Sequence, residues 1–178
     1  MGETILDSLA EGRSCGDCTI CCETLKITVP ELLKPAGVLC EHCTGGGCSI
    51  YETRPQVCRE WYCLWRRLGQ MPDVLRPDRL GVVFYVRHKP EAENLFERFF
   101  ILARAARDEA ALNHPLAQQA IAMFVREGSM PVWTGFKHSL KLVYPDAQFG
   151  DAILNPETTA WKALVPRAVE WRKRYGMG

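Results

Sequence analysis

Cys15-Gly16-Asp17-Cys18-Thr19-Ile20-Cys21-Cys22 opens a run of nine cysteines that continues as Cys40-x2-Cys43-x4-Cys48 and ends with Cys58-x4-Cys63; the rest of the 178 residues hold none. Short pairings repeated this often place many sulfurs within reach of one centre, as a metal ion or an iron–sulfur cluster requires of a small segment. All nine, Cys15, Cys18, Cys21, Cys22, Cys40, Cys43, Cys48, Cys58 and Cys63, are candidate ligands. They mark residues 13–66 as a metal-binding module of short elements arranged around loops. In such a region the metal supplies much of the folding energy, because a preformed thiolate site scarcely exists in an unfolded chain.

A disulfide framework is the competing use of so many cysteines, and it implies secretion and usually a shorter chain. The start Met1-Gly2-Glu3-Thr4-Ile5-Leu6-Asp7 is acidic, without the basic flank and apolar run of a signal peptide. Leu6 stands where a myristoylation signal needs Ser or Thr. No stretch approaches the roughly 18 apolar residues of a membrane span. These features predict a cytoplasmic protein in a reducing compartment. Nine is also an odd number, so full pairing would leave one thiol over.

Length suits one compact domain over 1–178, and 47% hydrophobic residues provide for a real core. The formal net charge of +1 gives no signal for nucleic acid or a membrane as partner. Eight thiolates holding two divalent ions would take that charge to about −3.

The second cysteine group is informative at close range. In Cys43-Thr44-Gly45-Gly46-Gly47-Cys48 the glycines let backbone amides approach a thiolate. Thr53 and Gln56 make a capping box around Pro55, which predicts a helix from about Arg54. Five positions rotate Cys58 and Cys63 about 140° apart on a regular helix, so either the helix ends between them or they serve different sites. Adjacent Cys21 and Cys22 pose the same problem, since neighbouring side chains diverge by about 100° on a helix. They serve two centres, or one is spare. Cys15, Cys18 and Cys21 have the x2, x2 spacing of loops that hold a cubane cluster with a remote fourth cysteine.

Together with Cys48-x-Ile50-Tyr51, Arg54-Pro55 and Cys58-Arg59, this cysteine run resembles the CxxCxxCC family of zinc- or iron-chelating cysteine-cluster proteins over about residues 13–66. The resemblance implies an iron–sulfur-cluster protein or oxidoreductase with the nine cysteines as the metal- and cofactor-binding set. Some larger relatives in that family are flagellin lysine methylases, but no segment here matches a methyl-donor site.

Iron and zinc make different demands. An iron–sulfur cluster of the 4Fe-4S type takes about four cysteines and leaves others for a second centre. Closed tetrahedral zinc sites would use eight cysteines for two ions, with His42 as a substitute ligand. Three functions stay open. The first is an iron–sulfur protein for electron transfer or a redox or modifying reaction, with an unidentified redox or protein partner. The others are a zinc-stabilised structural or partner-binding module, and a metal carrier or sensor. Arg54 and Arg59 could offset thiolate charge, although arginines on a helix surface are usually just solvated. His42 reads more simply as loop surface, and Trp61 and Trp65, four apart on the expected helix, as core. Glu52 and Glu60 read as surface carboxylates.

The expected fold is α+β, with the cysteine module packed on a small antiparallel sheet in ββαββ order over 80–145 and a C-terminal helix over 156–176. Lys26-Ile27-Thr28-Val29 reads as a strand, and Pro30-Glu31-Leu32-Leu33-Lys34 as a helical turn opened by proline. Ile5, Leu6 and Leu9 suggest a leading helix stopped at Gly12. Gly81 to Arg87 reads as a buried strand. Leu95 to Ala105 reads as its hairpin partner, although Phe96, Phe99 and Phe100 also suit a helix face. Asn113 should cap a helix through Ile121 and Phe124, closed by Gly128. Pro131 to Phe136 and Ser139 to Tyr144 should form a second hairpin, turning near Lys137 and His138. Trp161, Leu164 and Trp171 mark the tail as an amphipathic helix kinked at Pro166. His88, His114 and His138 are scattered and form no recognisable triad, which argues against a standard hydrolase.

Overall fold

The computed structural model describes residues 8–93, 95–127, 130–143 and position 166. The leading helix, the Gly128 stop and the C-terminal helix expected over 156–176 therefore lie outside the described residues, apart from Leu9, Gly12 and Pro166. The fold is α+β, with a two-stranded antiparallel sheet near the cysteines and a four-stranded sheet beyond them.

The larger sheet grows from two apolar runs. Strand β3 (Val82–His88) starts after Gly81, whose φ of 75° closes the short helix α4 (Pro77–Leu80) in a conformation that favours glycine. The run from Leu95 is divided between two states. Leu95–Arg98 forms one helical turn, α5, and Phe99–Ala105 is the strand β4, antiparallel to β3 from His88↔Phe99 to Val82↔Ala105. A 3₁₀ turn, Glu109–Asn113, leads into α6 (Pro115–Glu127). Asn113 ends the 3₁₀ turn and does not cap the helix; the Nδ1 of His114 accepts the Leu116 N–H at 3.3 Å in its place. Strands β5 (Val132–Phe136) and β6 (Ser139–Val143) form a hairpin turning at Lys137, with φ of 49°.

The sheet order is β3-β4-β5-β6, and β4 pairs with β5 in parallel. This corrects the expectation of an all-antiparallel sheet. The 13-residue α6 carries the chain back along the sheet, so the next strand enters in the same direction as β4, as a helical crossover permits and a tight turn does not.

Both sheet faces are covered. Val82, Phe84, Ile101, Ala103 and Val132 pack against Ala117, Ile121 and Phe124 of α6, with the Phe84 and Phe124 rings 5.6 Å apart. Val83, Tyr85, Phe100, Leu102, Trp133 and Leu142 form the other face, covered by Ile20 and flanked by Cys18, Trp61 and Cys63. Gly135 sits there because a Cβ would lie 2.7 Å from Leu140 Cδ2 and 3.3 Å from Leu102 Cδ1. Cys18 and Cys63 are thus held against the face that α6 leaves free.

Candidate metal centre

The first cysteines lie on a turn and a single helix. Cys18 N–H donates to the Cys15 carbonyl at 3.0 Å, with Gly16 at φ of 53° between them. Helix α1 (Ile20–Thr24) follows and turns Ile20 into the sheet face. Arg76, which precedes α4, donates to the Cys15 carbonyl at 3.0 Å and pairs with Asp17, tying this turn to the body of the protein.

After α1 the chain makes a hairpin of β1 (Ile27–Val29) and β2 (Leu32–Lys34). Pro30 and Glu31 form its turn, which corrects the helical turn expected there. Ile27 and Leu32 are inward and buried, and pairing both strands satisfies their backbone more fully than one isolated turn could. Lys34 is 5% exposed, and its ammonium donates to the carbonyls of Glu23, Pro35 and Val38 at 3.1, 3.0 and 2.8 Å. Burial draws its pKa below the ordinary lysine value, opposed by the neighbouring Cys40 and Cys22.

The loop beyond is pinned by backbone bonds: Cys40 N–H to the Cys22 carbonyl and Cys43 N–H to the Cys40 carbonyl, each 2.9 Å. Cys43 and Cys48 face each other in an isolated antiparallel bridge across the three glycines. The helix expected from Arg54 is shorter and later. Tyr51–Thr53 is a 3₁₀ turn, and α2 (Gln56–Glu60) begins after Pro55, without a capping bond from Thr53. Gln56 bonds to Glu60 at 2.5 Å instead. Arg54 stacks on the Tyr51 ring and bonds to the Tyr51 and Cys58 carbonyls, while Arg59 donates to the Arg54 carbonyl at 2.8 Å. Both arginines brace the backbone.

Helix α2 ends between Cys58 and Cys63, because Trp61 is extended; Cys63 then precedes α3 (Leu64–Arg67). Trp61 and Trp65 therefore do not share a helix. Trp65 is buried, and Trp61 meets Tyr85 edge-on at 5.3 Å. Arg13 donates to the carbonyls of Trp65, Leu68, Gly69 and Met71, anchoring the chain that follows Cys63.

All nine cysteines are free thiols. Eight of them, all but Cys43, line one cavity of about 420 Å³ between the cysteine loops and the sheet, with Ile20, Trp61 and Tyr85 among its apolar walls. His42 also borders it and lies 3.9 Å from Glu41. Among the described residues, no three His, Cys, Asp or Glu side chains are gathered closely enough to enclose a metal ion. The donor set is that of a soft-metal site, but its side chains line the wall without converging.

Electrostatics separate the thiols. The Cys21 S–H beside Cys22 lowers the pKa of Cys22, burial opposes this, and Cys43 and Lys34 assist. Cys21 is pushed far up by the same hydrogen bond, then by burial and by Cys15 and Cys18. Burial raises Cys18 and Cys58, and pushes Cys63 up to about 11.

The fold and the cavity together define a class: an α+β scaffold bearing a free-thiol cluster against one sheet face. Comparison with protein-family models, with curated proteins and with solved structures finds no match to this chain.

Proposed function

We propose that this chain is a thiolate metal-binding protein whose module over 13–66 holds an iron–sulfur cluster, carried on the ββαββ unit over 80–145. The observation that carries this reading is that eight of the nine free cysteines line one cavity. Sulfur ligands select zinc and iron–sulfur clusters over hard cations. The donor chemistry therefore fits. Such a cluster, when bound, supplies one-electron chemistry. The chain's own residues would then set the surroundings: Ile20 and Trp61 exclude water, and the buried Lys34 ammonium balances thiolate charge. Electron transfer to a protein partner, or a redox or modifying reaction, follows from that arrangement, and a reducing cytoplasm suits the free thiols.

Zinc is the second reading. The observation favouring it is the Cys43–Cys48 bridge across a glycine turn, with Cys40 bonded to the same loop, a compact frame for a closed tetrahedral ion.

Oxygen-free purification followed by visible absorption and counting of iron, zinc and acid-labile sulfide tests the proposal. About four iron and four sulfide per chain is the expected result. A colourless protein with zinc and no sulfide leaves only the second reading, and a chain that takes up neither metal after loading overturns both.

A further inference from the structure

The cavity between the cysteine loops and the sheet has a one-sided charge. Lys26, Arg54, Arg66, Arg87 and Arg104 line it, and no Asp or Glu among the described residues does. None of these five cations forms an ion pair with a carboxylate among the described residues. Three are engaged with neutral groups. Arg54 and Arg66 donate to backbone carbonyls, and Arg104 donates to the Tyr85 hydroxyl at 3.1 Å and to the Lys137 carbonyl at 2.7 Å. Lys26 is exposed, but Arg87 is half-buried and its guanidinium has no partner among the described residues. A partly desolvated cation without a counter-charge is costly, and a bound anion would relieve that cost.

Strand β3 sets where this free cation stands. It is an edge strand of the larger sheet, and side-chain alternation puts Val83, Tyr85 and Arg87 on one face. Val83 and Tyr85 belong to the apolar cluster of that face with Ile20, and Trp61 meets the Tyr85 ring edge-on at 5.3 Å. From Val83 to Arg87 the strand runs about 13 Å. An apolar and aromatic wall therefore ends at an unpaired guanidinium, inside a cavity of about 420 Å³. Small-molecule sites have this make-up: mostly apolar, with few polar groups that fix orientation.

We propose that this cavity binds an amphipathic organic carboxylate, with its apolar body against Ile20, Trp61 and Tyr85 and its carboxylate on the Arg87 guanidinium. The proposal goes beyond the metal-binding reading and does not rest on it, because none of these groups is a cysteine. A guanidinium is a planar fork that takes both oxygens of one carboxylate. One such free fork at the end of an apolar wall matches a single carboxylate head, whereas a polyanion would need several free cations gathered together.

The test is calorimetric titration of the purified full chain with octanoate, octanol and octylammonium, which share an apolar chain and differ in the charge of the head. Octanoate should bind saturably, and the neutral and cationic probes about tenfold more weakly or worse. Arg87→Gln should weaken octanoate about tenfold and leave octanol unchanged, and Arg87→Lys, which keeps the charge but loses the fork, should recover part of the loss. Lys89→Gln, two positions along the chain and outside the cavity wall, should change nothing. Absence of saturable octanoate binding, equal affinity for octanoate and octanol, or octanoate binding indifferent to Arg87→Gln overturns the proposal. Arg87 bonds to no described group, so its variants should keep the circular dichroism of the wild type. Where one does not, the comparison of octanoate with octanol on the wild type decides. Any of these failures leaves the iron, zinc and sulfide count untouched, so the metal-binding reading stands or falls separately.

Discussion

Residues 80–143 and residues 8–63 are held by different means. The sheet region buries Phe84, Phe100, Leu102 and Trp133 to 1% exposure or less between α6 on one side and Ile20 on the other, and its strands run five to seven residues. The cysteine region has strands of three residues, helices of five and a private core of Ile27, Leu32 and Cys40. Its remaining order comes from polar clasps: Arg13 and Lys34 each gather several carbonyls, and Arg76 ties the first cysteine turn to α4. Apolar burial is non-directional and supports a cooperative unit, while isolated polar clasps fix local geometry and open locally. A region of the second kind can open locally while the sheet stays closed.

The largest effect should come from the sheet. Trp133→Ala removes a buried indole and its Nε1 bond to the Phe96 carbonyl, and should cost about 3–5 kcal/mol, a large share of the stability of an ordinary domain. Urea unfolding followed by circular dichroism checks this, and a cost below about 1 kcal/mol would mean that the sheet core is not the main source of stability.

The contrast sharpens at Lys34. Lys34→Met keeps the apolar stem and removes the donors to three carbonyls, a loss of about 2–3 kcal/mol that should stay local. Hydrogen exchange should speed up at the amides of Gly37 and Cys40 and stay unchanged in β3 and β4. Equal acceleration in both places would show that the two regions open as one unit.

Smaller again is Gly135→Ala. The new Cβ would press on Leu140 Cδ2 and come within 3.2 Å of the Ser139 carbonyl, so about 1–2 kcal/mol is expected, read from the urea midpoint. Because Leu140 is a flexible side chain, the β5–β6 turn should yield before β4 does.

The sequence was most readable where one physical signal dominated. The strand run at 82–88 and the hairpin around Lys137 follow from β-forming residues and turn chemistry, and the structure has both. Leu95–Ala105 carried helix and strand signals together, and the chain uses both, one helical turn and then a strand. The parallel β4–β5 pairing was not legible, because strand direction depends on where α6 delivers the chain, which local pattern does not encode. Near the cysteines, capping chemistry misled: Thr53 and Gln56 have the right spacing, but the 3₁₀ turn at Tyr51–Thr53 and the arginine clasps occupy that backbone. Cysteine spacing identified the candidate ligands and the difficulty at Cys21-Cys22. It could not identify Lys34, whose partners are carbonyls distributed between residues 23 and 38.

The metal-free chain offers the finest test, through Cys63, the thiol at the boundary of the two regions. It contacts the cores on both sides of the sheet, and burial pushes its pKa up to about 11 from an ordinary 9.0. Below pH 9 the thiol is protonated whether the chain is folded or not, so it contributes no pH dependence there. Between about pH 9 and 11 the unfolded chain gives up this proton first, the native state binds more protons, and stability falls as pH rises. The fall attributable to Cys63 should be on the order of 1 kcal/mol, less than a full two-unit shift implies because the site is partly exposed. Urea midpoints of metal-free wild type and Cys63→Ala across that window should converge as pH rises, since alanine has no proton to lose. Parallel curves would mean that Cys63 is solvated in the metal-free state, and that the cysteine region lifts from the sheet when no metal holds it.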